Sequence, residues 1–203
     1  MSFKKCVWSA ATFAFLLTGC ATNTEKSAGN ADAGGTKAGV ATPQNMPEQK
    51  PQGTANFTSH KAGFSIYFPA KPTENITTQT SESGQHEQMI FQSETEPVTY
   101  IVLAISTPPS VDTSDADSFL DGIEKGLLEE AKAKVLKRRS FQLQGMPSRE
   151  LQTSMMNGQA MSRVYICLKP RVTYQIMAVG LKNDIERQHK QIDKVFRSFR
   201  TIG

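Results

Sequence analysis

The chain has 203 residues, with 23 Lys and Arg against 19 Asp and Glu and a formal net charge of +4. Two of those positive charges, Lys4 and Lys5, fall in the first 19 residues. The remainder holds 21 basic against 19 acidic side chains, so the basic isoelectric point does not imply a polyanionic partner. Three cysteines, at 6, 20 and 167, are too few for a disulfide framework, so stability must come from a packed core, which a chain of this length can bury.

Residues 1–19 have the three parts of an export signal peptide. Lys4 and Lys5 supply a positive start, Val7 to Leu17 is almost wholly apolar, and Thr18-Gly19 supplies small residues for a peptidase. The apolar run is too short to span a hydrocarbon layer of about 30 Å, which takes about 20 residues. Leu17-Thr18-Gly19-Cys20 resembles the lipobox of bacterial lipoproteins. The resemblance implies cleavage before Cys20, a diacylglyceryl thioether on its sulfur and an acylated new amino terminus. Each buried acyl methylene contributes about 0.8 kcal/mol, and two or more chains anchor a protein stably. The expected address is the bacterial cell envelope. Ala21, rather than Asp, follows the cysteine, which under enteric-type sorting implies the outer membrane, facing the periplasm. With Cys6 lost and Cys20 acylated, only Cys167 stays a thiol, and no intramolecular disulfide is expected.

Residues 20–55 form the second segment, a lipidated tether. It is dominated by Ala, Thr, Gly, Asn, Gln, Lys and Pro, and Val40 and Met46 are its larger aliphatic residues. Such a stretch cannot bury enough apolar surface to offset its ordering entropy. A flexible coil of this length reaches roughly 30 Å, at about 5–6 Å times the square root of residue number.

The third segment, 56–203, reads as one folded domain. "GFSIYFP" (63–69) alternates and stops at Pro69. "ENITTQT" (74–80) is a polar strand suited to an edge, followed by "HEQMIFQS" (86–93) and "VTYIVLAIST" (98–107). The last is apolar on both faces and therefore expects cover on both. Pro108-Pro109 ends it. A helix over 115–133 follows, with N-cap candidates Thr113, Ser114, Asp115 and Asp117 and a stripe of Phe119, Leu120, Ile123, Leu127, Leu128 and Ala131. Gly122 and Gly126 share one side of it, which predicts close packing on a sheet. Strands at 134–144, 147–156, 159–169 and 172–180 form a meander, with Asn157-Gly158 predicting a two-residue hairpin and Pro170-Arg171 another turn. A final helix over 184–199 carries the stripe Ile185, Ile192, Val195, Phe196 and Phe199, with its charges outward. The fold class is α+β, a mainly antiparallel sheet flanked by helices.

"AGFSIYFPAKP", the central apolar strand, Phe119-Leu120, "LQGMPSREL", "SRVYICLK", "TYQIMAVG" and "VFRSF" together resemble the PsbP-like family over residues 57–201, including lipoproteins of the DcrB type. The resemblance implies an α/β/α sandwich and an accessory or binding role. It carries over no catalytic residues.

The residues themselves name no reaction. His60, His86 and His189 lie in different predicted elements with no metal-ligand spacing. Cys167 paired with a distant histidine could act as a nucleophile, but a buried core thiol is the simpler account. No serine elbow or phosphate-binding glycine loop is present, and no cofactor or metal is expected. Asp112, Asp115, Asp117 and Asp121 surround a helix start and suit its dipole. The densest basic run, "KAKVLKRRS" (132–140), places Lys137, Arg138 and Arg139 at a helix–strand junction. Arg149, Arg163 and Tyr165 lie on neighbouring predicted strands where they could share a face. These six are the expected binding surface.

The expected function is therefore a non-catalytic accessory or protein-binding lipoprotein, held to the membrane through Cys20 and partnered with another envelope protein. Nucleic acid is excluded as a partner across an export boundary. A carrier of small apolar ligands, with Met155, Met161 or Met177 lining its pocket, is the alternative, and an enzyme with a composite site the third reading.

Overall fold

The computed structural model describes residues 55–81 and 84–202. The signal peptide, Cys20 and the tether as far as residue 54 lie outside the described residues. The elements are β1 (Phe57–Ser59), β2 (Phe64–Ile66), β3 (Thr73–Ser81), β4 (Gly84–Thr95), β5 (Val98–Ser106), α1 (Ala116–Glu130), β6 (Lys134–Leu143), β7 (Met146–Met155), β8 (Ala160–Lys169), β9 (Val172–Leu181), α2 (Lys182–Arg187), α3 (His189–Ser198) and β10 (Arg200–Thr201).

Seven strands form one antiparallel sheet in the order β3-β4-β5-β9-β8-β7-β6. The chain builds it from both edges inward. β3 to β5 run from one edge to the centre, α1 crosses to the far edge, and β6 to β9 return to meet β5. This path explains why the two most apolar strands are neighbours. β9 is buried from Thr173 to Ala178 on both faces. β5 is not fully covered: Leu103 is buried, but Ile101 and Ile105 on the same side are only half-buried, because α1 packs over β7 and β8. The polar strand at 74–80 is an edge, as its composition predicts, and β6 is the other edge.

One face carries α2, α3 and a second, three-stranded sheet, β1-β2-β10, which sequence reading does not separate. Phe64 of β2 lies 5.0 Å from Phe91 and 5.7 Å from Phe199, centroid to centroid, and so joins both sheets and the end of α3. The other face carries α1, whose Leu120, Ile123 and Leu127 pack on Leu151, Val164, Ile166, Leu168 and Met177. The architecture is thus the expected antiparallel sheet between helical layers.

Local differences have local causes. α1 begins where the Asp115 carboxylate accepts a hydrogen bond from the Ser118 N–H at 3.1 Å. It stops at Glu130, short of 133, in a Schellman closure. The Lys132 N–H reaches the Glu129 carbonyl at 3.2 Å, the Ala133 N–H reaches Leu128 at 2.9 Å, and Lys132 takes φ of 47°. Gly122 does not pack on the sheet. It faces solvent, and a Cβ there would meet nothing within 4 Å. Glu124 occupies the sheet side instead. The predicted helix over 184–199 is two helices that meet at Gln188. The turn at Asn157-Gly158 is not a two-residue hairpin. Met155 pairs with Ala160, leaving four residues between, and Met156, Asn157 and Gly158 all take positive φ.

Candidate functional site: two arginine networks, a cleft and a cationic helix face

Strand alternation decides where the predicted binding residues go. Arg149 pairs with Ile166, so it points to the α1 face. Tyr165 pairs with Glu150, and Arg163 lies two residues from Tyr165, so these point to the α3 face. Arg149 and Arg163 therefore do not share a surface, contrary to expectation. The run on β6 divides in the same way: Arg138 pairs with Leu151 and Arg139 with Glu150. The two-residue turn at Gln144-Gly145, both at positive φ, sets this register, and a bulge between Val135 and Lys137 shifts only the far end of β6. Lys137, opposite Gln152, is exposed.

On the α1 face, Arg149 is 2% exposed and forms ion pairs with Asp121, Glu124 (3.1 Å) and Asp117 (3.7 Å). Arg138 joins the same group through Glu124 (2.9 Å) and Asp121. The acidic residues of the helix start thus have two roles. Asp115 caps, and its carboxyl is held below the usual range by the backbone N–H of Ser118. Asp112 is held down likewise by Ser114. Asp117 and Asp121 clamp α1 to β6 and β7.

On the α3 face, Arg163 bonds Glu150 at 2.8 Å and also Asp193 of α3. Its guanidinium lies 5.2 Å from the Phe196 ring and 5.5 Å from the Tyr165 ring. Burial works against its charge, but Tyr165, Asp193 and Glu150 together outweigh it and push its pKa up. Burial raises the Tyr165 hydroxyl, and Arg163 offsets part of this. Arg139 completes the group through Glu150. Both networks pin a helix to the sheet, and their arginines are engaged by acids of the same chain.

Beside the second network, a cleft of about 280 Å³ opens between β7–β8 and α2–α3, lined by Gln152, Met161, Arg163, Ile185, His189 and Ile192. Met161 is in it. Met155 and Met177 are not, because their register places them on the α1 face. The volume is at the lower limit for ligand pockets.

The histidines stay apart. His60 is exposed, His86 is buried on β4 with Nε2 at 3.3 Å from the Gln79 amide oxygen, and His189 is exposed with Nδ1 at 3.0 Å from the Glu186 carbonyl. Among the described residues no group of His, Cys, Asp and Glu could hold a metal ion. Cys167 is fully buried, and burial pushes its thiol up to about 12. A group this hard to ionise is a poor nucleophile.

Sequence reading placed the charges of the last helix outward but took no binding surface from them. Arg187, Lys190, Lys194 and Arg197 follow spacings of three, four and three residues and are all exposed. Lys194 lies 3.8 Å from the Tyr67 ring centroid, and Arg187 pairs with Asp184. Of the other acids in the segment, Asp193 is held by Arg163 and Glu186 is in no ion pair among the described residues. The spacing was visible in the sequence, but the loss of Asp193 to a strand arginine was not.

No family model matches the chain, and no curated protein sequence does. Among solved structures, the solution structure of cyanobacterial PsbP (CyanoP) from Synechocystis sp. PCC 6803 superposes with a TM-score of 0.53 at 11% identity, over 71% of this chain and 90% of that one. A protein of unknown function from Pseudomonas aeruginosa gives 0.42 at 13% identity, over 61% and 95% of the two chains. The strand order, the helical layers and the first of these likenesses agree on one conclusion: the domain has a PsbP-like α+β fold.

Proposed function

We propose that this protein is an envelope lipoprotein, anchored through Cys20, whose PsbP-like domain acts as a non-catalytic accessory or protein-binding module. The observation that carries this reading is the apolar run Val7 to Leu17 ending in Leu17-Thr18-Gly19-Cys20 and giving way at once to a polar, small-residue stretch. The domain's geometry agrees with it. The sheet arginines are spent on holding helices in place, and the basic outer face of α3 is offered to solvent.

Crosslinking in intact cells, purification on a C-terminal tag and mass spectrometry test the proposal, with Cys20→Ala as control. An acylated chain that captures one envelope protein, lost in the control, is the expected result. A chain whose intact mass carries no lipid and which fractionates as soluble would sink the anchor. A purified domain that turns over an envelope substrate, with the activity abolished by a point substitution, would sink the non-catalytic role.

The cleft at Met161, Ile185 and Ile192 favours a second reading, a carrier of small apolar ligands. Native mass spectrometry of protein from its own host is the check, and repeated bare masses count against it.

A further inference from the structure

We infer that the outer face of α3 is a docking surface for anionic lipid headgroups, and that it lays the domain onto the membrane that holds its anchor. The inference rests on the lipoprotein reading for its geometry, because a tether brings this face repeatedly within reach of one bilayer.

Lys190, Lys194 and Arg197 form a stripe on the side of α3 opposite the buried Ile192, Val195 and Phe196. From residue 182 to 200 the chain has six Lys and Arg against three Asp and Glu. Asp193 is taken by Arg163 of the sheet and Asp184 and Arg187 neutralise one another, which leaves Lys190, Lys194 and Arg197 on the outer face with Glu186 as the exposed acid nearby. A helix with its apolar side packed into a core does not insert into a bilayer, so docking would be electrostatic. Each basic residue near an anionic leaflet is worth about 1 kcal/mol, or about fivefold in occupancy. Such attraction fades within a Debye length of about 8 Å at physiological salt, so the stripe must approach the headgroups closely. Tyr67 supports this by holding Lys194 against its ring. An acidic protein face would have the same charge, and the test separates the two.

The full chain, purified with its natural amino terminus, is reconstituted in phosphatidylcholine vesicles and in vesicles with about one-third phosphatidylglycerol. Lysines are acetylated briefly and read individually by mass spectrometry. Lys190 and Lys194 are expected to react about fivefold more slowly on the anionic vesicles, the factor set by about 1 kcal/mol per charge, and to recover in high salt. Lys125 on α1, on the opposite face of the sheet, should change little. The triple variant Lys190→Glu, Lys194→Glu, Arg197→Glu should react alike at its remaining lysines on both vesicles. Equal rates on both vesicles, or equal slowing of every lysine, overturn the inference. So does protection in native membranes that is absent from pure vesicles, which would assign the stripe to an acidic protein. The intact mass from the same sample reports acylation of Cys20. If the anchor is missing, the footprint with excess vesicles still reads the stripe by itself.

Discussion

Single residues show how far local rules hold. Gly122 is a helical glycine with open space where its Cβ would be, and it takes no left-handed backbone. Gly122→Ala should raise stability by about 0.5–1 kcal/mol, the usual difference in helix propensity, read from the midpoint of urea unfolding. A loss would mean that this side of α1 is in contact after all. Cys167 behaves in the opposite way. Its thiol is pushed up to about 12 from a usual 9.0, because burial disfavours the thiolate, and the Tyr100 hydroxyl is likewise pushed to about 12. Above pH 9 the unfolded chain gives up the thiol proton while the folded chain keeps it. The stabilising contribution is thus complete below pH 9 and is lost as pH rises toward 12. Native protein should resist alkylation at Cys167, and its unfolding midpoint should fall between about pH 9 and 11, less steeply in Cys167→Ala.

At the scale of elements, ion pairs join helices to sheet on both faces. Arg149 is 2% exposed, and Glu124, its partner, is also buried. Removing one member leaves a buried charge, which costs about 3–5 kcal/mol. Arg149→Ala is expected near the lower figure, because Arg138 remains beside Glu124 at 2.9 Å. The double variant with Glu124→Gln should cost less than the sum of the singles, and additivity would show that the two do not interact. The six residues of the expected surface were legible as a cluster in sequence but not as a surface. One-residue offsets along β6, β7 and β8 send Arg138 and Arg149 to one face and Arg139, Arg163 and Tyr165 to the other. Period-two alternation was available from sequence, but the register between neighbouring strands was not.

At the scale of the molecule, the two ends of the domain close on one another. β1, β2 and β10 form one small sheet, and Asn56 fastens it by exchanging hydrogen bonds with the Phe68 backbone, both at 2.8 Å. Phe64 carries the load between layers, touching Phe57, Phe91, Tyr174 and Phe199. Phe64→Ala should cost about 3–5 kcal/mol and still leave a single unfolding transition, followed by far-ultraviolet circular dichroism in urea. Two separate transitions would show that the small sheet is an independent unit.

Sequence by itself determined the order of β2 to β9 with α1 among them, the antiparallel sheet class, the polar edge at 74–80, the buried thiol of Cys167 and the expectation of an anchor at Cys20. Each of these follows from neighbours along the chain: hydrophobic period, turn residues, or a short motif. Tertiary structure alone decided which way each arginine points, which acid it meets, the shared closure of β1 with β10, and the exposure of Gly122. Those depend on contacts between residues tens to more than a hundred positions apart, such as the Tyr67 N–H that bonds the Ser198 hydroxyl. The basic stripe on α3 needed both. Spacing lines up its cations, but only the fold removes Asp193 from among them.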